Sequence, residues 1–142
     1  MATEAARRRI RALGTMERDK RMETEQKARD SAAIRDRMGR MEREKQALLR
    51  RISQESRVDG VEGAAYLGRF IRSIRAEIER LDAEMARLRP ELNRAEERLR
   101  AAMAEQKTFE ILKVSRIAAE HRAEKKREAA RLDEIALQSW RQ

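Results

Sequence analysis

The residues that could do chemistry in this chain are charged ones, and their spacing argues against catalysis. The single histidine, His121, sits among Glu120, Arg122 and Glu124 and reads as a surface residue. The carboxylates are interleaved with Arg and Lys at helical spacing, which keeps them ionised and paired rather than poised for proton transfer. No nucleophile–base–orienter set and no glycine-rich loop between a strand and a helix can be assembled. With no cysteine in the chain, disulfides and thiolate metal sites are excluded. The sequence therefore predicts a protein that is not an enzyme, with no cofactor, no metal and no small-molecule substrate.

What remains is charge. The chain of 142 residues carries a formal +9, with a pI near 10.7. Residues 1–52 hold 16 Lys/Arg against 9 Asp/Glu, residues 53–105 hold 10 against 11, and residues 106–142 hold 9 against 6. The excess sits in the terminal thirds, where Arg7-Arg8-Arg9 and Lys125-Lys126-Arg127 form basic triplets. Such a balance suits acidic partners, whether protein, nucleic acid or membrane surface. Nucleic acid is the less favoured of these. Aromatic residues, which single-strand binders interleave for stacking, make up only 3% of the chain, and Glu residues dilute the basic ones. On charge alone, solvated coiled-coil faces rich in i,i+4 pairs are the favoured reading. No apolar run approaches the ~20 residues of a membrane span, and no apolar stretch follows the arginine-rich start as a secretory signal would require. The expectation is a soluble, cytoplasmic protein without membrane insertion.

The element that positions these charges is a heptad seam. At alternating four- and three-residue steps the chain reads Leu67, Ile71, Ile74, Ile78, Leu81, Met85, Leu88, Leu92, Ala95, Leu99, Ala102, apolar at every position. A narrow stripe at a mean spacing of 3.5 is needed only by a helix wound against another helix. The one cluster of breakers is SQESRVDGVEG at 53–63, with Asp59-Gly60 as a strong turn pair. The predicted fold is all-α, a single antiparallel coiled-coil hairpin. Helix 1 runs from about Thr3, as N-cap, to 56, the turn covers 57–63, and helix 2 runs from about 64 to 139. Pro90 falls on the outer side of an unbroken seam and predicts a bend rather than a boundary.

Helix 1 has its own seam in Ile10, Leu13, Ile34, Met38, Met41, Leu48 and Ile52. Folding back at the turn pairs Ile52 with Leu67, Leu48 with Ile71, Met41 with Ile78, Met38 with Leu81, Ile34 with Met85 and Ile10 with Phe109. Between Leu13 and Ile34 the seam turns polar, through Glu17, Lys20, Thr24, Lys27 and Ser31, opposite Leu88, Leu92 and Leu99. That predicts either a slip of phase, with Met16 and Met22 lying off the seam, or leucines left for a partner. The slip is slightly favoured. In this register Lys113 meets Ala6, and roughly 30 residues of helix 2 overhang, ending in Leu132, Ile135, Ala136 and Trp140. A lone tryptophan on an unpaired helix end suits an anchor for another protein.

Three stretches together resemble the FliJ proteins of the bacterial flagellar type III export apparatus and their injectisome counterparts. They are DGVEGAAYLGRFIRSI, with Tyr66, Leu67, Phe70, Ile71 and Ile74; EQKTFEILK, with Lys107, Glu110 and Leu112; and RLDEIA, with Leu132, Asp133, Glu134 and Ala136. The resemblance covers most of residues 50–140. It implies a stalk-like adaptor that binds the hexameric export ATPase, promotes its ring, contacts the cytoplasmic domain of the membrane export gate and is linked to export chaperones. It would sit in the cytoplasm, peripherally at the base of the export apparatus. Carried over, the ATPase would meet the open end, through Arg7, Arg8, Ile10, Arg11, Leu13, Phe109, Leu112, Lys113, Arg116, Leu132, Asp133, Glu134 and Ile135. The gate would meet the flank near the turn, through Leu48, Tyr66, Phe70 and Ile74. The alternatives are a basic coiled-coil protein acting on nucleic acid and a homo-oligomeric scaffold.

Overall fold

The computed structural model describes residues 3–55 and 60–141. Two helices account for nearly all of them: α1, Glu4–Glu55, and α2, Val61–Arg141. The fold is a helical hairpin, all-α. Thr3 caps α1 as its type predicts, its Oγ1 accepting the Ala6 N–H at 3.1 Å. Asp59 of the predicted turn pair lies outside the described residues. Its neighbour Gly60 has φ 95°, a left-handed conformation that only glycine adopts without strain, and its carbonyl accepts the Ala64 N–H to start α2. The second helix thus begins at Val61, with Gly63 inside its first turn. Helix α2 is continuous through Pro90. The carbonyl of Ala86, deprived of its usual donor there, lies on an exposed stretch where water can serve it.

Contacts gather into two units. One joins α1 up to Glu25 with α2 from Arg100 onward, and the other spans Gln26–Leu99. In each, the two helix segments run antiparallel.

Among the described residues of Gln26–Leu99 the core is Ile74, Leu81, Leu88, Leu92 and Ala95, with Ser31 as the one buried polar residue, 1% exposed. The pairing differs from that predicted. Arg37 bonds Glu84 at 3.1 Å, Arg35 reaches Glu96 at 3.4 Å and Lys45 meets Asp82 at 2.8 Å. These contacts set Ile34 opposite Leu92, Met38 opposite Leu88, Met41 opposite Met85, Leu48 opposite Ile78 and Ile52 opposite Ile74, one heptad away from the predicted partners. The reason is physical: in a repeat of seven, a shift of seven lays seam on seam again, so apolar pattern alone leaves the choice open.

This register removes the expected conflict at Leu88 and Leu92. They face Met38 and Ile34 rather than polar residues, and both are buried. Ser31 instead faces Ala95, with its hydroxyl donating to the Ala28 carbonyl at 3.1 Å. The expectation of a phase slip is also corrected, because Met16 and Met22 are exposed and the polar seam keeps its heptad phase.

Within the other unit Ala6 and Ala102 are buried, as is Glu17. Lys113 does not meet Ala6. It lies beside Gly14 and Glu17. Half-buried residues of α2 continue to Arg127, and residues 128–141 are exposed throughout. The exposed end of α2 is therefore shorter than the predicted register implied, and one heptad of shift accounts for about seven residues of the difference.

Candidate functional site

The predicted open-end residues fall around two clefts of the unit formed by the chain's terminal segments. The larger, about 480 Å³, is lined by Ile10, Arg11, Gly14, Thr15, Glu17, Arg18, Arg21 and Lys113. The smaller, about 260 Å³, is lined by Leu13, Leu112, Ser115, Arg116 and Ala119. Ile10, Arg11 and Lys113 thus share one cleft and Leu13, Leu112 and Arg116 the other. Arg7 and Arg8 are exposed on the first turns of α1, where Glu4 engages Arg8 at 3.9 Å and Arg11 at 3.2 Å. Phe109 is half-buried in the seam. Leu132, Asp133, Glu134 and Ile135 line neither cleft and belong to the exposed end of α2.

Charge inside this unit is organised by α1. Glu17 lies on the seam, 7% exposed, with Arg21 at 2.6 Å and Lys113 at 3.7 Å. One turn on, Lys20 bonds Glu105 at 2.6 Å and Glu23 at 3.1 Å. The hydrogen bond to Glu105, and then that to Glu23, raises the Lys20 ammonium above its ordinary range. An outer pair missed by the sequence reading, Ile111 and Val114, stands exposed beside Lys107 and Glu110. Its only signal was an i, i+3 apolar step off the seam.

The four residues assigned to the flank near the turn belong to the other unit, and they divide. Tyr66 is exposed, and its ring stacks on Phe70 with centroids 6.3 Å apart. The Arg51 guanidinium covers Phe70 at 5.3 Å from the ring centre, a cation–π contact. Ile74 is buried in the core and Leu48 is half-buried, so both serve the hairpin's own packing.

Among the described residues no group of acidic side chains or histidine is placed to hold a metal ion, and no helix is long and apolar enough to cross a membrane. No curated protein and no solved structure matches the chain. A family does: the model of the flagellar FliJ protein matches residues 9–142, nearly the whole length. The helical hairpin and that match agree with the three stretches noted in the sequence, so this chain belongs to the FliJ family and is a component of the flagellar export apparatus.

Proposed function

We propose that this chain is a stalk-like adaptor that engages the ring of the export ATPase with its terminal segments, promotes the assembly and activity of that ring, and links it to the cytoplasmic domain of the export gate and to export chaperones. The observation that carries this reading is the end of α2. Residues 128–141 are exposed throughout and present Leu132, Ile135, Leu137 and Trp140, the last 88% exposed. Apolar side chains that their own chain leaves uncovered, in the same unit as clefts rimmed by Arg11, Arg18, Arg116 and Lys113, suit a partner that is acidic and apolar by turns. Asp133 and Glu134 then give that end its orientation against basic groups of the ring.

For the gate, Tyr66 and Phe70 form the contact, with Leu48 and Ile74 in the seam of the same unit holding the helix pair together. The Tyr66–Phe70 stack is already ordered by Arg51, which lowers the cost of binding. The adaptor works in the cytoplasm, peripherally at the base of the export apparatus, and has no catalytic step of its own.

The test is the ATP hydrolysis rate of the cognate export ATPase with the full chain and with a chain ending at Arg127. Stimulation by the full chain that disappears with the shortened one supports the adaptor reading. No effect of either on hydrolysis or ring assembly overturns it.

A further inference from the structure

We infer that α2 carries a second, self-complementary face through which two copies of this chain pair antiparallel. The inference rests on the pattern of that one helix and stands apart from the adaptor reading.

The face lies one residue on from the seam positions Lys113, Arg116, Glu120 and Arg127. It reads Val114, Ile117, His121, Glu124 and Lys125, Glu128, Leu132 and Ile135. Steps of three and four keep these residues on one side of a helix that is continuous to Arg141. Helix α1 leaves the apolar members open: Val114 is 63% exposed, Ile117 45%, Leu132 62% and Ile135 60%. Two apolar pairs thus flank a charged middle. A face ordered in this way has the same character read from either end, as a two-fold interface between identical subunits requires.

Placing the two-fold axis between Glu124 and Lys125 sets Val114 opposite Ile135 of the second copy and Ile117 opposite Leu132. His121 then stands opposite Glu128, and Glu124 opposite Lys125, so each charged layer joins a basic group to an acidic one. Symmetry makes every layer occur twice. Beyond Val114 and Ile135 the next layer sets Glu110 against Ser139, and the apolar contact ends there.

Sliding by one heptad destroys the match. One direction puts Val114 against Glu128 and Ile117 against Lys125, and the other puts Leu132 against Glu124 and Ile135 against His121. Parallel pairing in register would stack Lys125 on Lys125 and Glu128 on Glu128. Of these arrangements the first alone opposes apolar to apolar and base to acid, so this stripe fixes its own alignment. A second copy of the chain therefore supplies the matching face without further requirement. Four apolar side chains on each copy lie at the small end of specific interfaces, so the pair should be weak and concentration-dependent. Pairing covers Leu132 and Ile135, and a chain held by its own copy has neither to offer another protein.

Sedimentation of the full chain over a wide concentration series should show a mass rising from 16.6 kDa towards twice that value. Ile117→Glu should weaken the association by about tenfold or more, because a charge replaces an apolar partner in two symmetric layers. Leu132→Lys alone should do the same. Mixing these two variants should recover pairing, since the mixed pair keeps one Ile117–Leu132 layer and turns the other into Glu against Lys. The chain lacks cysteine, so single cysteines report alignment. Lys125→Cys, beside the axis, should form a disulfide between copies, and Lys126→Cys, turned away from the face, should not. Leu132→Cys should not either, because its two copies stand about 22 Å apart along the helices. Circular dichroism should be unchanged in every variant, each site being exposed. A mass that stays at 16.6 kDa throughout overturns the inference. So does association indifferent to Ile117→Glu, a mixture that pairs no better than its components, or cross-linking through Leu132→Cys or Lys126→Cys as ready as that through Lys125→Cys. A variant that loses helical content overturns the placing of its residue on an open face.

Discussion

Arg37 bonds Glu84 at 3.1 Å, one heptad away from Glu77, which stood in the same relation to it in the register predicted from apolar residues alone. The flanking charges, more than the seam, decide this pairing. With Arg37 at 51% and Glu84 at 23% side-chain exposure, the pair is partly solvated, so its contribution belongs to the weak class of about 0.2–1 kcal/mol. Arg37→Glu should lower stability by about that amount plus the repulsion it introduces. Arg37→Glu with Glu84→Arg should recover most of the loss, as a urea-denaturation double-mutant cycle would read.

Leu81, 1% exposed, is the test of the core. Leu81→Ala should cost about 2–5 kcal/mol in equilibrium unfolding. Leu132→Ala, on the exposed end of α2, should change stability by less than about 0.5 kcal/mol while weakening any contact made there.

Ser31 is buried opposite Ala95, and this layer has room for small side chains only. Ser31→Leu should therefore destabilise by about 1–3 kcal/mol despite placing an apolar residue on the seam. Ser31→Ala should be close to neutral, since the hydroxyl donates only to a carbonyl of its own helix, which Ala leaves to its ordinary helical bond, and accepts at 3.5 Å from the Arg35 guanidinium, which keeps Glu96. Thermal melts of the two variants would separate these outcomes.

The acid side is governed by carboxylates such as Glu77, whose hydrogen bond from Arg80, and then the charge of Arg80, hold it below the ordinary glutamate range. A group depressed in the folded state stabilises at pH above its unfolded value, and that contribution fades as pH falls through the folded one. Helical content should thus decline a little at pH below the ordinary glutamate range, and Glu77→Gln should remove its share of that slope. Lys20 works in the opposite direction. Raised by Glu105 and Glu23, it stabilises until pH rises past the ordinary lysine range, so Lys20→Met should flatten an alkaline melt.

The two helices, their antiparallel sense and the Thr3 cap were legible because each follows from a local pattern: the 3.5-residue stripe, the breaker cluster and a hydroxyl before the first turn. The register was not read from that stripe, because apolar residues recur at the same interval as the ambiguity. The information was nonetheless present on the flanks. The predicted register would have brought Arg35 against Arg89 and Glu42 against Asp82, like against like. The observed one gives Arg35 to Glu96 and Asp82 to Lys45. Charges beside a seam choose among registers that the seam treats as equal. The division of the candidate surface near the turn was legible in part. Phe70 lies one residue before seam position Ile71, which leaves part of its ring off the seam, and it contacts both Tyr66 and Arg51. Ile111 and Val114 escaped because two apolar residues on an outer face are too few to stand out from a charged background.

Trp140 is the chain's single indole, and it stands 88% exposed. The molecule therefore carries an optical probe that is blind to its own core. Melting the seam would leave the emission colour nearly unchanged, because the indole is wet in both states. A blue shift on mixing with another molecule would report that the end of α2 had been covered, and nothing else in the chain could produce it.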